Sequence, residues 1–278
     1  MADYAVGPTT AICMIVRDEG RYLREVIAYH LLIGFNHIFI YDNDSTDNTH
    51  EVLATIPSDR FTVVPWPASL GHSNMQCAAY DDCVANQVGA YDWLMFMDAD
   101  EFLVLRKHRT IGELLTELDY ADEIGFNWRV FGDGGHRKYQ DGLVTERFLY
   151  ASREDFSVNR HLKSMARPAK IAHARAHAHS LIPGSVMVTP GGRSLAPGEP
   201  LTSESDVDHS VAQVNHYFGK SWEEWVIKRD RGKVDSPAGA ADRVRADHFF
   251  HGHNRNEMVD GRILRRLPEL RALLATFA

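Results

Sequence analysis

Long apolar runs are missing from this chain: nothing approaches the ~20 residues that a membrane-spanning helix needs. Basic excess is missing too. With 30 Lys and Arg against 38 Asp and Glu, the formal net charge is −8, which argues against a nucleic-acid binder that gains from counterion release. A nucleotide diphosphate stays admissible, because a bound divalent cation inverts the local field. Cysteine is scarce and odd in number. Cys13, Cys77 and Cys83 lie in apolar surroundings and read as reduced, buried thiols of a cytoplasmic protein. The Met1 to Pro8 stretch has neither a basic start nor an apolar run, so no secretion signal is expected. Internal repeats are absent.

What is present is an α/β pattern. Short apolar runs at 11–16, 37–41, 61–66 and 92–97 read as strands, and amphipathic stretches at 22–33, 47–56 and 73–89 read as helices between them. Strand and helix alternating over short links predict a mostly parallel central sheet with helices on both faces, and ligands bound beyond the strands' carboxyl ends. The expected division is a nucleotide-binding half over 1–105 and an acceptor-side half over 106–278, within one catalytic domain. In the second half, 111–118, 222–231 and 258–277 read as helices and 123–131 as a strand. Residues 183–206, rich in Gly, Pro and Ser, are expected to be a flexible loop.

The sharpest chemical signal is MDADEF, Met97 to Phe102. Asp98 and Asp100 stand two apart at the mouth of an apolar strand, so an extended backbone lets both reach one hard cation. A calcium-loop reading fails, since Phe102 takes the next odd position and no glycine follows at the sixth. The second signal, YDNDSTDNT (Tyr41 to Thr49), offers Asp42 and Asp44 as acceptors for a base or ribose, with Ser45 or Thr46 helping to cap a helix.

Together with IVRDEGRYLREVIAYHLLIGFNHIFIYDN, these stretches resemble the nucleotide-sugar half of family 2 glycosyltransferases, and more closely the bacterial branch related to family 92. The features are Arg17-Asp18-Glu19 (with Asp18 where the branch carries asparagine), Trp93 ahead of Asp98-Ala99-Asp100-Glu101-Phe102, and His216-Tyr217-Phe218-Gly219-Lys220-Ser221. The resemblance implies a GT-A fold with a smaller acceptor-side subdomain, and a metal-dependent transferase that moves a sugar from a nucleotide-sugar, a UDP-sugar, to a glycan or lipid-linked glycan. It implies that Asp42, Asp44, Arg17 and Glu19 line the nucleoside pocket, that Asp98 and Asp100 bind Mn²⁺ or Mg²⁺ and the donor, and that Gln76, Tyr80 and Asp81 lie on a helix that touches it. His216 becomes a candidate third metal ligand, and Lys220, Lys228 and Arg229 candidate diphosphate partners.

An inverting transfer also needs a carboxylate base. Glu146, in a T-E-R-F stretch like that of the related branch, is the first candidate. Asp133, in a glycine-rich turn, is the second, and Asp155 stands behind both. Trp128 suits either stacking on a sugar or the core. His173, His177 and His179 lack a neighbouring Cys or carboxylate at zinc-ligand spacing and read as a polar strand. Arg262, Arg265, Arg266 and Arg271 among leucines form a basic amphipathic C-terminal helix, which packs on the domain or rests on the inner face of a membrane. Polysaccharide, capsule or lipopolysaccharide chains are the acceptors this implies. Two rival readings exist. One is a sugar nucleotidyltransferase, which wants more glycine after the first strand than Gly20. The other is a catalytically inactive nucleotide- or carbohydrate-binding module.

Overall fold

The computed structural model describes residues 7–233 and 244–277, so residues 1–6 of the stretch read for a leader lie outside the described residues. In the first half the elements are β1 (Thr10–Val16), α1 (Gly20–Leu32), β2 (His37–Asp42), α2 (Thr49–Leu53), β3 (Phe61–Pro65), α3 (Met75–Gln87), β4 (Trp93–Phe96) and β5 (Glu101–Leu105). After them come α4 (Ile111–Glu117), β6 (Glu123–Val130), α5 (Val144–Arg147), β7 (Tyr150–Ala151), β8 (Leu162–Ala166), β9 (Ile171–His173), β10 (Ser180–Leu181), β11 (Met187–Val188) and β12 (Ser194–Leu195). The chain closes with β13 (Ala212–His216), α6 (Trp222–Arg231), α7 (Asp247–His253), β14 (Met258–Val259) and α8 (Leu267–Leu274).

The fold is α/β. One large sheet runs β12-β11-β6-β8-β4-β1-β2-β3, with β13 and β5 branching from β6. The segment β3-β2-β1-β4 is wholly parallel, and it has the strand order of half a doubly wound nucleotide-binding sheet. All seven residues of β1 and all four of β4 are buried, as expected of strands covered on both faces.

Beyond β4 the sheet is mixed, with β11 and β13 parallel to β6. There β8 runs antiparallel to both β4 and β6, and β13 antiparallel to β5. β5, β8 and β13 were not expected as strands. Their insertion carries one sheet across the boundary drawn near residue 105. Nor is 183–206 a structureless loop. β11 pairs with β6 and β12 with β11, and Val188 is buried in the main core.

The register aligns the sheet's active end. Val16 lies opposite Asp42, and Met97 donates its N–H to the Cys13 carbonyl, so the turns after β1, β2 and β4 emerge together. Gly20 starts α1 where a Cβ would fall 2.5 Å from Asn48 Oδ1 and 2.7 Å from Thr49 N. Its lack of a side chain serves the close approach of two turns.

At the C-terminus the expected 258–277 helix is broken into β14, a short 3₁₀ turn and α8. Its arginines turn inward. Arg265 binds the Leu105 carbonyl, Arg266 that of Leu32, and Arg271 pairs with Glu146. Among the described residues no helix is long and apolar enough to cross a membrane.

Candidate active site

A cavity of about 230 Å³ opens at the carboxyl end of the parallel strands. Arg17, Glu19, Gln76, Asp98, Asp100 and His216 all line it, although they come from four separate stretches of sequence. Also present are Lys163, His177, Lys228 and Arg231, of which only Lys228 was a candidate.

Asp98 follows β4. Its Oδ1 accepts from Gln76 Nε2 at 2.8 Å, and its Oδ2 from Lys163 Nζ at 2.8 Å. Asp100 is held by Lys228 Nζ at 2.5 Å, with His216 Nε2 at 3.7 Å. Burial pushes both carboxyls up, but the ammonium partners outweigh it. Lys163 brings Asp98 below the usual range, and Lys228 with His216 holds Asp100 well below it. Burial brings Lys228 down to about 8 against the pull of Asp100, with Lys220 and Arg245 adding like charge.

Behind the pair sits Glu101, fully buried. It accepts the Asp98 N–H at 2.9 Å and lies 3.5 Å from Lys163. Burial, reinforced by Asp98 and Asp100, raises its carboxyl to about 8 despite Lys163. It is therefore a neutral acid at pH 7, and the Asp98–Asp100 pair carries the anionic charge.

The β1–α1 turn is shaped by Asp18 and clamped by Arg231. Asp18 sits at φ 51°, and its Oδ1 accepts the N–H groups of Thr46 (2.7 Å) and Asp47 (3.2 Å). Aspartate and asparagine both tolerate that backbone and supply that acceptor, so Asp18 fills the place of an asparagine. Arg231, at the end of α6, donates to the carbonyls of Arg17 and Asp18 and pairs with Glu19 at 2.6 Å.

Other candidates sit elsewhere. Asp42 meets His50 at 3.1 Å and the Ser45 N–H, and Asp44, at φ 57°, accepts the Ala68 N–H; neither lines the cavity. Lys220 is buried with its ammonium 4.1 Å from the Tyr22 ring centroid, outside the lining, at a backbone φ of 52°. The adjoining Ser221 forms a capping box with Glu224 that starts α6, so Lys220 lies in the turn that delivers the helix carrying Lys228. Arg229 faces away, paired with Asp230 and Asp247. Tyr80 accepts from Gln76, and Asp81 caps the Ala174 N–H.

Of the base candidates, Glu146 lies in α5 against Arg271, outside the cavity. Asp133 follows β6, three residues beyond Val130, which pairs with His216, and like Glu146 it does not line the cavity. Its Oδ1 accepts from Gly135 N–H at 2.9 Å and Asn256 Nδ2 at 3.3 Å. Asp155 pairs with Arg153 at the surface.

Trp128 forms the apolar wall. His161 stacks on it at 4.8 Å, and His177 and His216 lie 5.4 and 4.2 Å away. Burial brings the His177 imidazole down to about 4 and also lowers His216. His177 is therefore neutral at pH 7. The histidine run thus contributes one residue, His177, to the cavity. His179 is buried against Phe96, and His173 is exposed.

The metal implied by the sequence fits this donor set in kind. Among the described residues no group of three or more His, Cys, Asp or Glu could hold a metal ion. Magnesium-type sites, however, use one or two carboxylates and take their remaining ligands from substrate phosphates and water. His216 Nδ1 is buried with no protein partner, which leaves imidazole capacity beside Asp100.

Fold and cavity together define an α/β protein with a charged crevice at the carboxyl end of its parallel strands. The model of glycosyltransferase family 92 matches residues 10–242, and the chain belongs to that family. A family 92 protein of Oryza sativa subsp. japonica is 36% identical over 141 residues, 48% of this chain and 23% of its own length. One from Arabidopsis thaliana is 26% identical over 232 residues, 78% of this chain and 36% of its own. The chain thus spans between a quarter and a little over a third of these two relatives. Among solved structures, glucosyl-3-phosphoglycerate synthase from Mycobacterium tuberculosis, in complex with Mn²⁺ and UDP-glucose, overlaps with a TM-score of 0.39 and 14% identity. That overlap covers 70% of this chain and 73% of that one.

Proposed function

We propose that this chain transfers a sugar from a nucleotide-sugar, a UDP-sugar, to a carbohydrate or glycolipid acceptor with inversion at the anomeric carbon, in assembly of a surface polysaccharide. The observation that carries the reading is the convergence of Asp98 and Asp100 with Gln76, His216, Lys228 and Arg231 on one crevice beyond a parallel sheet. Family membership supports the same chemistry.

Mn²⁺ or Mg²⁺ would be held by Asp98 and Asp100, with His216 beside them, and when bound supplies charge neutralisation for the departing diphosphate. Lys228, cationic at neutral pH, and Arg17 add fixed positive charge on the leaving-group side. Gln76 and Lys163 fix the Asp98 carboxylate, and the clamp of Arg231 on Glu19 fixes the turn that carries Arg17. Asp133 takes the base role in preference to Glu146, because Glu146 is committed to Arg271. With its Oδ1 anchored by two N–H donors, Asp133 presents Oδ2 to the acceptor hydroxyl. As that hydroxyl oxygen bonds to the anomeric carbon, its proton passes to Asp133, and the sugar–phosphate bond breaks with its electrons on the nucleotide.

The test is calorimetric titration of UDP with and without Mn²⁺, on wild type and Asp100→Asn, with thermal melting to confirm folding. Metal-dependent binding lost in the variant supports the reading. A folded wild type that binds no UDP under either condition refutes the UDP assignment, and binding unchanged in Asp100→Asn refutes the donor site.

A further inference from the structure

A second cavity, of about 250 Å³, lies at the far end of β5, where the strand that starts at Glu101 beside the acidic pair gives way to Arg106. Five residues of strand separate the two, roughly 16 Å at ~3.3 Å per residue. Its lining mixes apolar residues such as Ile33, Val104 and Ile263 with a dense group of cations. Arg106, Lys107, Arg109, Arg265 and Arg266 face it with a single carboxylate, Glu269.

None of those five forms an ion pair among the described residues. Their guanidinium contacts go to neutral backbone oxygens instead. Arg106 donates to the His209 carbonyl, Arg265 to that of Leu105 at 2.9 Å, and Arg266 to that of Leu32 at 3.1 Å. The side chains of Lys107 and Arg109 have no partner among the described residues. Carbonyl oxygens hold guanidinium groups in place without cancelling their charge, so the repulsion persists. Burial, then the like charges of Arg262 and Arg265, make Arg106 less basic than usual.

Unused hydrogen-bonding capacity accompanies the charge. Arg266 Nε and His108 Nδ1 are buried with no partner, while His108 Nε2 is tied to Glu117 at 3.0 Å. Three of the cations, Arg106, Arg265 and Arg266, are held by carbonyls, Lys107 and Arg109 stand exposed beside them, and a cluster of cations without ion-pair partners attracts anions. Arg262 differs, being neutralised by Asp260 at 2.7 Å, and serves as scaffold.

The structure assigns to this cavity a second anion-binding function, separate from the donor crevice, for a compact ligand that carries two adjacent anionic groups of the diphosphate class. One singly charged ion would leave most of the repulsion in place. The same chemistry comes from free inorganic pyrophosphate or from a diphosphate on a lipid carrier.

The experiment uses the full chain and inorganic pyrophosphate in metal-free buffer, read by hydrogen exchange of peptides spanning 103–110 and 262–270. Wild type and Lys228→Ala should both gain protection in these peptides, because the site does not depend on the donor crevice. A Lys107→Glu/Arg109→Glu double variant should lose it, with apparent affinity weakened at least about tenfold and UDP titration unchanged. Both residues are exposed and outside any core contact, and the milder Lys107→Ala/Arg109→Ala pair serves if charge reversal disturbs folding. Absence of protection in wild type at millimolar pyrophosphate overturns the assignment, as does equal protection in the folded double variant. For a site that binds pyrophosphate, vesicles with and without a polyprenyl-diphosphate lipid then separate the two sources: sedimentation of wild type but not the variant with the loaded vesicles identifies the carrier, and sedimentation with neither identifies the free anion.

Discussion

Replacing Lys163 by methionine isolates what the buried ammonium does for the acidic pair. Its side chain is 1% exposed, 2.8 Å from Asp98 and 3.5 Å from Glu101. Removing one partner of a buried ion pair costs about 3–5 kcal/mol. Two features of this site lower that figure. The Asp98 side chain is 36% exposed, so water screens part of its charge. Glu101, raised to about 8, is neutral at pH 7 and needs no counter-ion. About 2 kcal/mol remains, equivalent to a fall of about 4–8 °C in melting temperature. Thermal unfolding followed by tryptophan fluorescence measures it. Because the ammonium and a divalent cation would share Asp98 Oδ2, Mn²⁺ should raise the melting temperature of Lys163→Met more than that of wild type. A variant that melts with wild type, or one that Mn²⁺ stabilises no more than wild type, refutes the reasoning.

Glu101 gives a pH signature. Its folded value of about 8 lies above the ordinary 4.5, so its contribution is complete below about 4.5 and is lost as pH rises through about 8. Wild type should therefore lose stability relative to Glu101→Gln across that window, and parallel melting profiles would disprove the buried neutral acid. For the base, Asp133→Asn should lower the transfer rate about 10²–10⁴-fold with UDP affinity unchanged. Glu146→Gln should leave the rate near wild type, since it only frees Arg271; the reverse pattern in rate assays would restore Glu146.

The first four strands were legible because each is a short apolar run, which the sheet buries on both faces in β1 and β4. β8 and β13 were not, for the opposite reason. In LKSMA the buried Lys163 is admissible only because Asp98, 65 residues earlier, meets its charge. In AQVNH, Gln213 is buried because Asp260 accepts from it, and Asn215 because it donates to the Tyr217 hydroxyl. No local pattern reports a partner that far away. For the same reason Asp98, Asp100 and Arg17 stood out as motifs while Lys163 and Arg231 did not. Arg231 sits in an ordinary basic helix end, and nothing nearby distinguishes its reach to Glu19 from the surface pairing of Arg229. The C-terminal arginines left packing and membrane contact both open, because their amphipathic spacing suits either, and in the fold they bind carbonyls and carboxylates of neighbouring elements.

The clamp of Arg231 on the β1–α1 turn bears on how the molecule is made. Its bond to the Arg17 carbonyl spans 214 residues. At about 5–20 residues per second, a ribosome needs roughly 10–40 s to travel from one partner to the other. From the completion of β4 onward the nascent parallel strands have all their own sequence, but the turn bearing Arg17 and Glu19 lacks the group that clamps it. On the proposed function, grip on a nucleotide would be deferred until the sixth helix has emerged, and a growing chain would not engage donor before the residues that act on it exist.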